Sequence, residues 1–433
     1  MNYYSLNFNS KDVGFLDAVR KGLAPDRGLY FPKEIPLLSQ NLIDSFPDLS
    51  NHELAFHAIQ PFVGDDIPSH RLKQIVKETL SFDLPIVPLS DSISTLELFH
   101  GPTLAFKDVG ARFMARCLAY AHEVKETKKI TILVATSGDT GGAVADGFYD
   151  VEGIDVVILY PKGKVSQIQE KQLTTLGKNI TALEVEGSFD DCQDMVKSAF
   201  IDHEIIQKVT LTSANSINIA RWLSQMFYYF IVYKNRPNPQ KKLVLSVPSG
   251  NFGNLCAGMM AQAMGLPLDY FVASTNVNNA VPQYLNEGTY IPKKTIATIS
   301  NAMDVGDPSN FIRIQKLVNN DFQKLKKKLT GFAFTDSQTK KAIKQVYEST
   351  GYITDPHGAV GYLGLKKFLT TKEGNYDGIF LETAHPIKFA HSIEAILKTK
   401  IEVPKRIESI LGRPKKALLI DSYNDLKNYL LDR

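Results

Sequence analysis

The segment His100-Gly-Pro-Thr-Leu-Ala-Phe-Lys-Asp108 sets a single lysine, Lys107, between an apolar tripeptide and apolar residues at helical spacing (Val109, Phe113, Met114, Cys117, Leu118). A lysine held near the interior is desolvated, which disfavours its ammonium form and lowers its pKa. The neutral amine is the form that condenses with an aldehyde, so Lys107 is a candidate Schiff-base residue. The competing reading is an ordinary solvated lysine, since most lysines are exposed. What favours the first reading is the set of loops that the chain supplies elsewhere.

Four such loops follow short apolar runs. Thr136-Ser137-Gly138-Asp139-Thr140-Gly141-Gly142 offers hydroxyls, small residues and free N–H groups at a helix start, which suits an anion; a plain strand-to-helix turn with hydroxyl caps has the same composition. Pro248-Ser249-Gly250-Asn251-Phe252-Gly253-Asn254 has two glycines that let backbone amides converge at a helix N-terminus. That makes it the better phosphate cradle, against the alternative of a tight connecting turn. Glu382-Thr383-Ala384-His385-Pro386 brings a hydroxyl and an imidazole to a strand end, although a histidine such as His385 is more often a hydrogen-bonded packing residue than a catalyst. In Ser213-Ala-Asn-Ser-Ile-Asn218-Ile-Ala-Arg221, Asn218 and Arg221 lie three apart and can share a face suited to a phosphate or carboxylate, or they can be a helix cap and a surface arginine. The chain has no Walker A loop and no GxGxxG fingerprint where one is required. A buried lysine combined with a phosphate cradle that lacks its own lysine implies an aldehyde cofactor carrying a phosphate, pyridoxal 5'-phosphate.

These loops need a scaffold that presents strand ends together. Short β-branched runs at Ile130–Ala135, Val156–Tyr160, Ile180–Val185, Val209–Thr212, Leu243–Val247, Asp269–Ala273 and Gly378–Leu381 alternate with helical patterns such as Ser166–Leu176, Asp190–Phe200 and Ile219–Tyr233. That alternation specifies an α/β fold with a doubly wound, mostly parallel sheet, in which ligands bind at the carboxyl ends of strands. Residues 1–95 lack it. They read as a mostly helical N-terminal domain with helices near Val13–Leu23, Asn51–Val63 and Ser69–Leu80, the last with Ser69 as its N-cap. Residues 96–433 form the catalytic region, made of two α/β subdomains.

Composition narrows the function. The 433 residues include Lys+Arg 49 and Asp+Glu 46, a net charge of +3, which argues against nucleic acid or a membrane surface as the main partner. The basic run Lys324-Leu-Lys-Lys-Lys328 reads as a solvated helix face. Three separated cysteines without a CxxC fit a reducing, cytoplasmic setting, and nine histidines without HExxH or HxH spacing argue against a bound metal. No apolar run reaches a membrane span, and the N-terminus does not read as a signal peptide.

Taken together, several stretches resemble the threonine synthase family, in its bacterial and fungal class with an extended N-terminal domain. They are Gly22-Leu-Ala-Pro-Asp-Arg-Gly-Leu-Tyr30, His100–Asp108, Ala135–Gly141, Pro248–Gly253, Ser274-Thr-Asn-Val-Asn278, Ser300-Asn-Ala-Met-Asp-Val305 and Thr383-Ala-His-Pro386. The resemblance implies the tryptophan synthase β-like fold (fold type II) of pyridoxal-phosphate enzymes. It implies that Lys107 binds the cofactor covalently and shuttles protons, with Phe106 beside it. Gly250, Asn251, Phe252, Gly253 and Asn254 would hold the cofactor phosphate, and Thr383 would face the pyridine nitrogen. Thr103, Ser137, Gly138, Asp139 and Thr140 would receive the substrate, with Asn218, Arg221 and Lys164 assigned to its phosphate. An aspartate beside a substrate carboxylate would repel it, so Asp139 serves the loop or the cofactor's phenolic oxygen instead. The implied reaction converts O-phospho-L-homoserine and water to L-threonine and phosphate, in a monomer or homodimer. The rivals are a serine/threonine dehydratase or β-replacement synthase of the same fold, and a non-catalytic phospho-ligand binding protein.

Overall fold

The computed structural model describes residues 1–125 and 129–432. Two sheets of apolar, β-branched strands form its centre. In the larger, the spatial order is Leu329–Ala333, Tyr270–Thr275, Lys242–Pro248, Tyr376–Glu382, Ile93–Glu97, Ile86–Ser90. The first five run parallel and Ile86–Ser90 closes the edge antiparallel. In the smaller, Leu418–Ile420, Ile180–Val185, Ile154–Pro161, Ile130–Ala135 and Thr210–Thr212 are all parallel. Ile130–Ala135, Ile154–Pro161 and Tyr376–Glu382 are buried at every position. Strands covered by helices on both faces must be apolar throughout, which is why they read as continuous runs and not as alternation. The result is the doubly wound, mostly parallel α/β architecture that the sequence predicts.

Local chemistry sets the helix starts. The Ser166 hydroxyl accepts from Gln169 N at the head of Gln167–Thr174, and the Ser188 hydroxyl accepts from Asp191 N at the head of Phe189–Ala199; both are reciprocal capping boxes. The helix expected over Ile219–Tyr233 is instead two, Ile219–Leu223 and Met226–Asn235. Between them the Ser224 hydroxyl donates back to Ala220 O at 2.7 Å. Such back-bonding competes with the helix ladder and bends it.

The N-terminal helices Phe15–Lys21, Asn51–Val63 and Ser69–Thr79 fall where their apolar spacing places them. Ser69 is not the cap, however; Pro68 occupies that position and no side chain caps the helix. The stretch also contains strand. Tyr3–Ser5 pairs antiparallel with Tyr30–Pro32, and the hairpin Ile86–Ser90/Ile93–Glu97 joins the larger sheet ahead of residue 96. Three-residue strands are too short to leave an alternation pattern. The piece is bound to the catalytic region by two buried side chains. Asn218 Nδ2 donates to Val19 O at 2.8 Å. Arg313 donates to Tyr30 O at 2.9 Å and Ile217 O at 2.7 Å, with its guanidinium 4.3 Å from the centre of the Trp222 ring. The run Lys324–Lys328 lies on Phe322–Lys328, where Lys324, Lys326 and Lys327 are exposed and Leu325 is buried. Among the described residues no helix is long and apolar enough to cross a membrane.

Candidate active site

Lys107 opens the helix Lys107–Lys125 directly. The loop before it is folded around Asp108, a fully buried carboxylate that accepts from Thr103 N at 2.9 Å and from the Thr103 hydroxyl. Burial raises the Asp108 pKa to about 6, with the Thr103 bonds pulling the other way. The same loop is stitched to the end of strand Tyr376–Glu382. Phe106 N donates to Thr383 O at 2.9 Å, His385 N donates to Leu104 O at 3.1 Å, and Ala105 and Ala384 form an antiparallel bridge. Lys107 and Thr383 are thereby brought to one place.

The Lys107 amine has its pKa lowered to about 8, first by burial, with Asp139 opposing and with Arg221 and Lys388 adding to the depression. The nucleophilic neutral form therefore grows as pH rises through about 8. Cofactor-free protein should capture pyridoxal phosphate about tenfold faster per pH unit up to that point and level off above it. Stopped-flow absorbance against pH measures this. A profile still rising at about pH 10, the range of an ordinary lysine, would refute it.

The glycine turn follows strand Lys242–Pro248. That strand lies beside Tyr376–Glu382, with Phe380 opposite Ser246, so the turn and Thr383 leave the same end of the sheet. Phe252 takes a left-handed conformation (φ 61°) at the head of the helix Gly253–Ala263. Gly250 lies flat on neighbouring backbone: a Cβ there would sit 2.7 Å from Ala302 O and 2.9 Å from Met303 Cα. Side chains brace the turn. Asn251 donates to Ser216 Oγ at 2.7 Å and accepts from Ser309 N at 2.6 Å, and Asn254 donates to Pro248 O at 2.9 Å. Among the described residues the N–H groups of Gly250, Asn251 and Phe252 find no acceptor. Converging, unspent amides at the N-terminus of a helix fit a phosphate. Thr383 is a buried residue, and its hydroxyl likewise makes no hydrogen bond to a described residue, as a partner kept for a ring nitrogen would. The residues present therefore suit pyridoxal phosphate.

The anion loop caps the smaller sheet. Thr136 Oγ1 accepts from Gly138 N at 3.0 Å and from Gly141 N at 2.9 Å, and Gly138 needs its positive φ of 136°. Ser137 and Thr140 are half-buried, and their hydroxyls make no hydrogen bond to a described residue. Asp139 is not a free charge. Its Oδ1 receives Lys388 Nζ at 2.6 Å and Gln169 Nε2 at 2.9 Å. Burial alone would raise its pKa, but Lys388 and then Lys107 hold it well below the usual carboxylate range.

Four expected substrate ligands need restating. The Asn218 side chain is spent on the fold, capping Ile219–Leu223 through Ala220 N at 3.0 Å and holding Val19 O. Thr103 gives its hydroxyl to Asp108. Lys164 is exposed on the turn after Ile154–Pro161. Arg221 is buried against the Lys107 helix, where a Cβ on Gly110 would lie 2.9 Å from its Nε. It donates to Ala214 O, its Nε is unpaired, and burial lowers its pKa to about 10. His385 caps the turn Pro386–Phe389 through Ile387 N at 3.1 Å, and burial lowers its pKa to about 4, so it is a neutral structural imidazole. Sequence reasoning missed Lys388. The signal was present: like Lys107, it stands among apolar neighbours, between Ile387 and Phe389.

Residues 2–80 match the family described as threonine synthase N terminus, residues 94–378 the family of pyridoxal-phosphate dependent enzymes, and residues 358–429 threonine synthase, C-terminal. The chain is 45% identical to threonine synthase of Haemophilus influenzae over 433 residues, covering 100% of both proteins. It belongs to the threonine synthase family. The crystal structure of threonine synthase from Escherichia coli superposes with a TM-score of 0.92 at 42% identity, covering 100% of both chains. The PLP-bound threonine synthase from Brucella melitensis gives 0.93 at 32% identity, covering 100% of this chain and 99% of that one. Membership makes the chain a pyridoxal-phosphate-dependent lyase of amino-acid biosynthesis that acts on a small molecule. Maize serine racemase, at 13% identity and a TM-score of 0.55, shares the fold alone.

Proposed function

We propose that this threonine synthase family member converts O-phospho-L-homoserine and water to L-threonine and inorganic phosphate at the site between the two sheets, with Lys107 as its catalytic residue. The observation that carries the assignment is the bridge between the Lys107 loop and the Thr383 loop, beside the glycine turn. Bound there, pyridoxal phosphate supplies the electron-withdrawing conjugation that makes protons at the substrate's α- and β-carbons removable. Gly250, Asn251 and Phe252 would bind its phosphate through backbone N–H groups, with Gly253 and Asn254 opening the helix behind them. Phe106 lies beside the amine, with its ring centre 5.9 Å from Lys107 Nζ. Thr383 would offer a neutral hydroxyl to the ring nitrogen. The Lys107 amine takes the α-proton and passes it on, which frees it to take a β-proton; phosphate leaves from the γ-carbon, water adds at the β-carbon, and protons return at the α- and γ-carbons.

Ser137, Gly138 and Thr140 receive the substrate carboxylate through hydroxyl and N–H donors. Arg221, with its unpaired Nε, is the cation for the leaving phosphate. The near-balanced charge and three buried free thiols, Cys117, Cys192 and Cys256, favour a cytoplasmic protein acting on a small molecule without nucleic acid or membrane, as a monomer or homodimer.

Two measurements test the assignment. The purified protein should release phosphate from O-phosphohomoserine in step with threonine; ammonia from threonine, without phosphate release, would mark a dehydratase. Borohydride reduction of the holoenzyme followed by peptide mapping should leave cofactor mass on Lys107. Mass on neighbouring Lys388, or on no lysine, would end the assignment.

A further inference from the structure

Lys388 is fully buried, yet it carries a charge into the centre of the molecule. Its ammonium reaches two elements at once: Asp139 Oδ1 at 2.6 Å in the anion loop, and Thr103 O at 2.8 Å in the Lys107 loop. Asp139 is held from the other side by Gln169. The charged and titratable groups facing the pair are Lys107, Asp108 and His385. An aspartate in a loop meant for an anion is a liability unless its charge is cancelled on the spot. Low local dielectric makes an uncompensated buried carboxylate both costly and strongly repulsive.

We propose that Lys388 is a positioning residue for substrate recognition, cancelling the Asp139 charge so that the Ser137–Thr140 loop can accept an anionic substrate. The inference rests on the reading of that loop as the carboxylate receiver. Two consequences follow from charge alone. Without Lys388, the Asp139 carboxylate repels the substrate. With both charges removed, the repulsion disappears.

The test uses holoenzyme of Lys388→Met, Asp139→Asn and the double variant. Lys388→Met should raise KM for O-phosphohomoserine about tenfold or more, while the double variant returns KM to within about threefold of the parent. Melting of the cofactor-free protein gives a readout independent of turnover. In Lys388→Met the Asp139 carboxyl keeps Lys107 and Gln169 but loses the Lys388 charge and hydrogen bond, so its folded pKa moves up from the depressed parent value and the pH slope of stability that Asp139 contributes is shallower than the parent's. That slope should vanish in the double variant. A double variant whose KM stays beyond about threefold overturns the proposal. If Lys388→Met does not fold, the double variant carries the test: its KM should lie within that limit, and a KM outside it overturns the proposal. Ser137→Ala/Thr140→Val separates the two layers of argument. A KM unmoved by that variant rejects the loop as carboxylate receiver, whereas a raised KM together with failed rescue by the double variant rejects Lys388 alone.

Discussion

Lys107→Ala should lower kcat by about a thousandfold or more, and the protein should no longer hold the cofactor covalently. Both losses follow from one amine. The side chain is the nucleophile that captures the aldehyde and the base that moves protons, so no neighbouring group is left to share the work. Lys388 cannot substitute, because its ammonium is committed to Asp139 and Thr103 O. The informative companion is Lys107→Arg. It keeps the positive charge, but a guanidinium does not deprotonate in a protein, so it should be as inactive as alanine. If charge alone mattered, arginine would retain activity. The visible absorbance of each purified variant, its kcat and its melting temperature together decide the matter. The melting temperature should change little, since Lys107 is half-buried with no ion pair within bonding distance. A Lys107→Ala protein that folds, keeps its bound colour and turns over within about tenfold of the parent would refute the assignment.

The sequence reveals this site unevenly, and the reasons are physical. Glycine, serine and threonine loops at strand ends are legible because a backbone that must turn sharply or expose its N–H groups needs those residues, wherever they fall. Ile130–Ala135 and Tyr376–Glu382 are legible because burial on both faces forces an apolar run. Leu329–Ala333, which contains a threonine and a glycine, and Ile86–Ser90, which contains Pro88, are not; sheet pairing, and not local propensity, makes them strands. Asn218 shows a different limit. An asparagine before a helix has the right chemistry for a cap and for a phosphate, and only the observed bonds to Ala220 N and Val19 O distinguish them. Lys388 shows a third. Its meaning lies in a partner, Asp139, that is distant in the chain, and no local pattern encodes such a pair.

Gly250→Ala should weaken pyridoxal-phosphate binding about ten- to a hundredfold, roughly 1.4 kcal/mol for each factor of ten, and destabilise the fold by about 1–3 kcal/mol. The added methyl would meet Ala302 O at 2.7 Å and Met303 Cα at 2.9 Å. Both are backbone atoms and cannot rotate away, so the turn itself must move. Any shift displaces the amides of Gly250, Asn251 and Phe252 from the point where they converge, and the Asn251 bonds to Ser216 and Ser309 resist relaxation. Space sets the expected order among neighbouring substitutions. A Cβ on Gly253 meets only side-chain atoms, the nearest being Asn310 Nδ2 at 3.3 Å, so Gly253→Ala should be milder. At Gly412 nothing lies within 4 Å and φ is −75°, so Gly412→Ala should fall within about 0.5 kcal/mol of the parent. Cofactor titration by absorbance and urea unfolding of the three variants check the order. If Gly250→Ala binds pyridoxal phosphate as tightly as Gly412→Ala does, the phosphate is gripped elsewhere, and the glycine turn is a connection between a strand and a helix and nothing more.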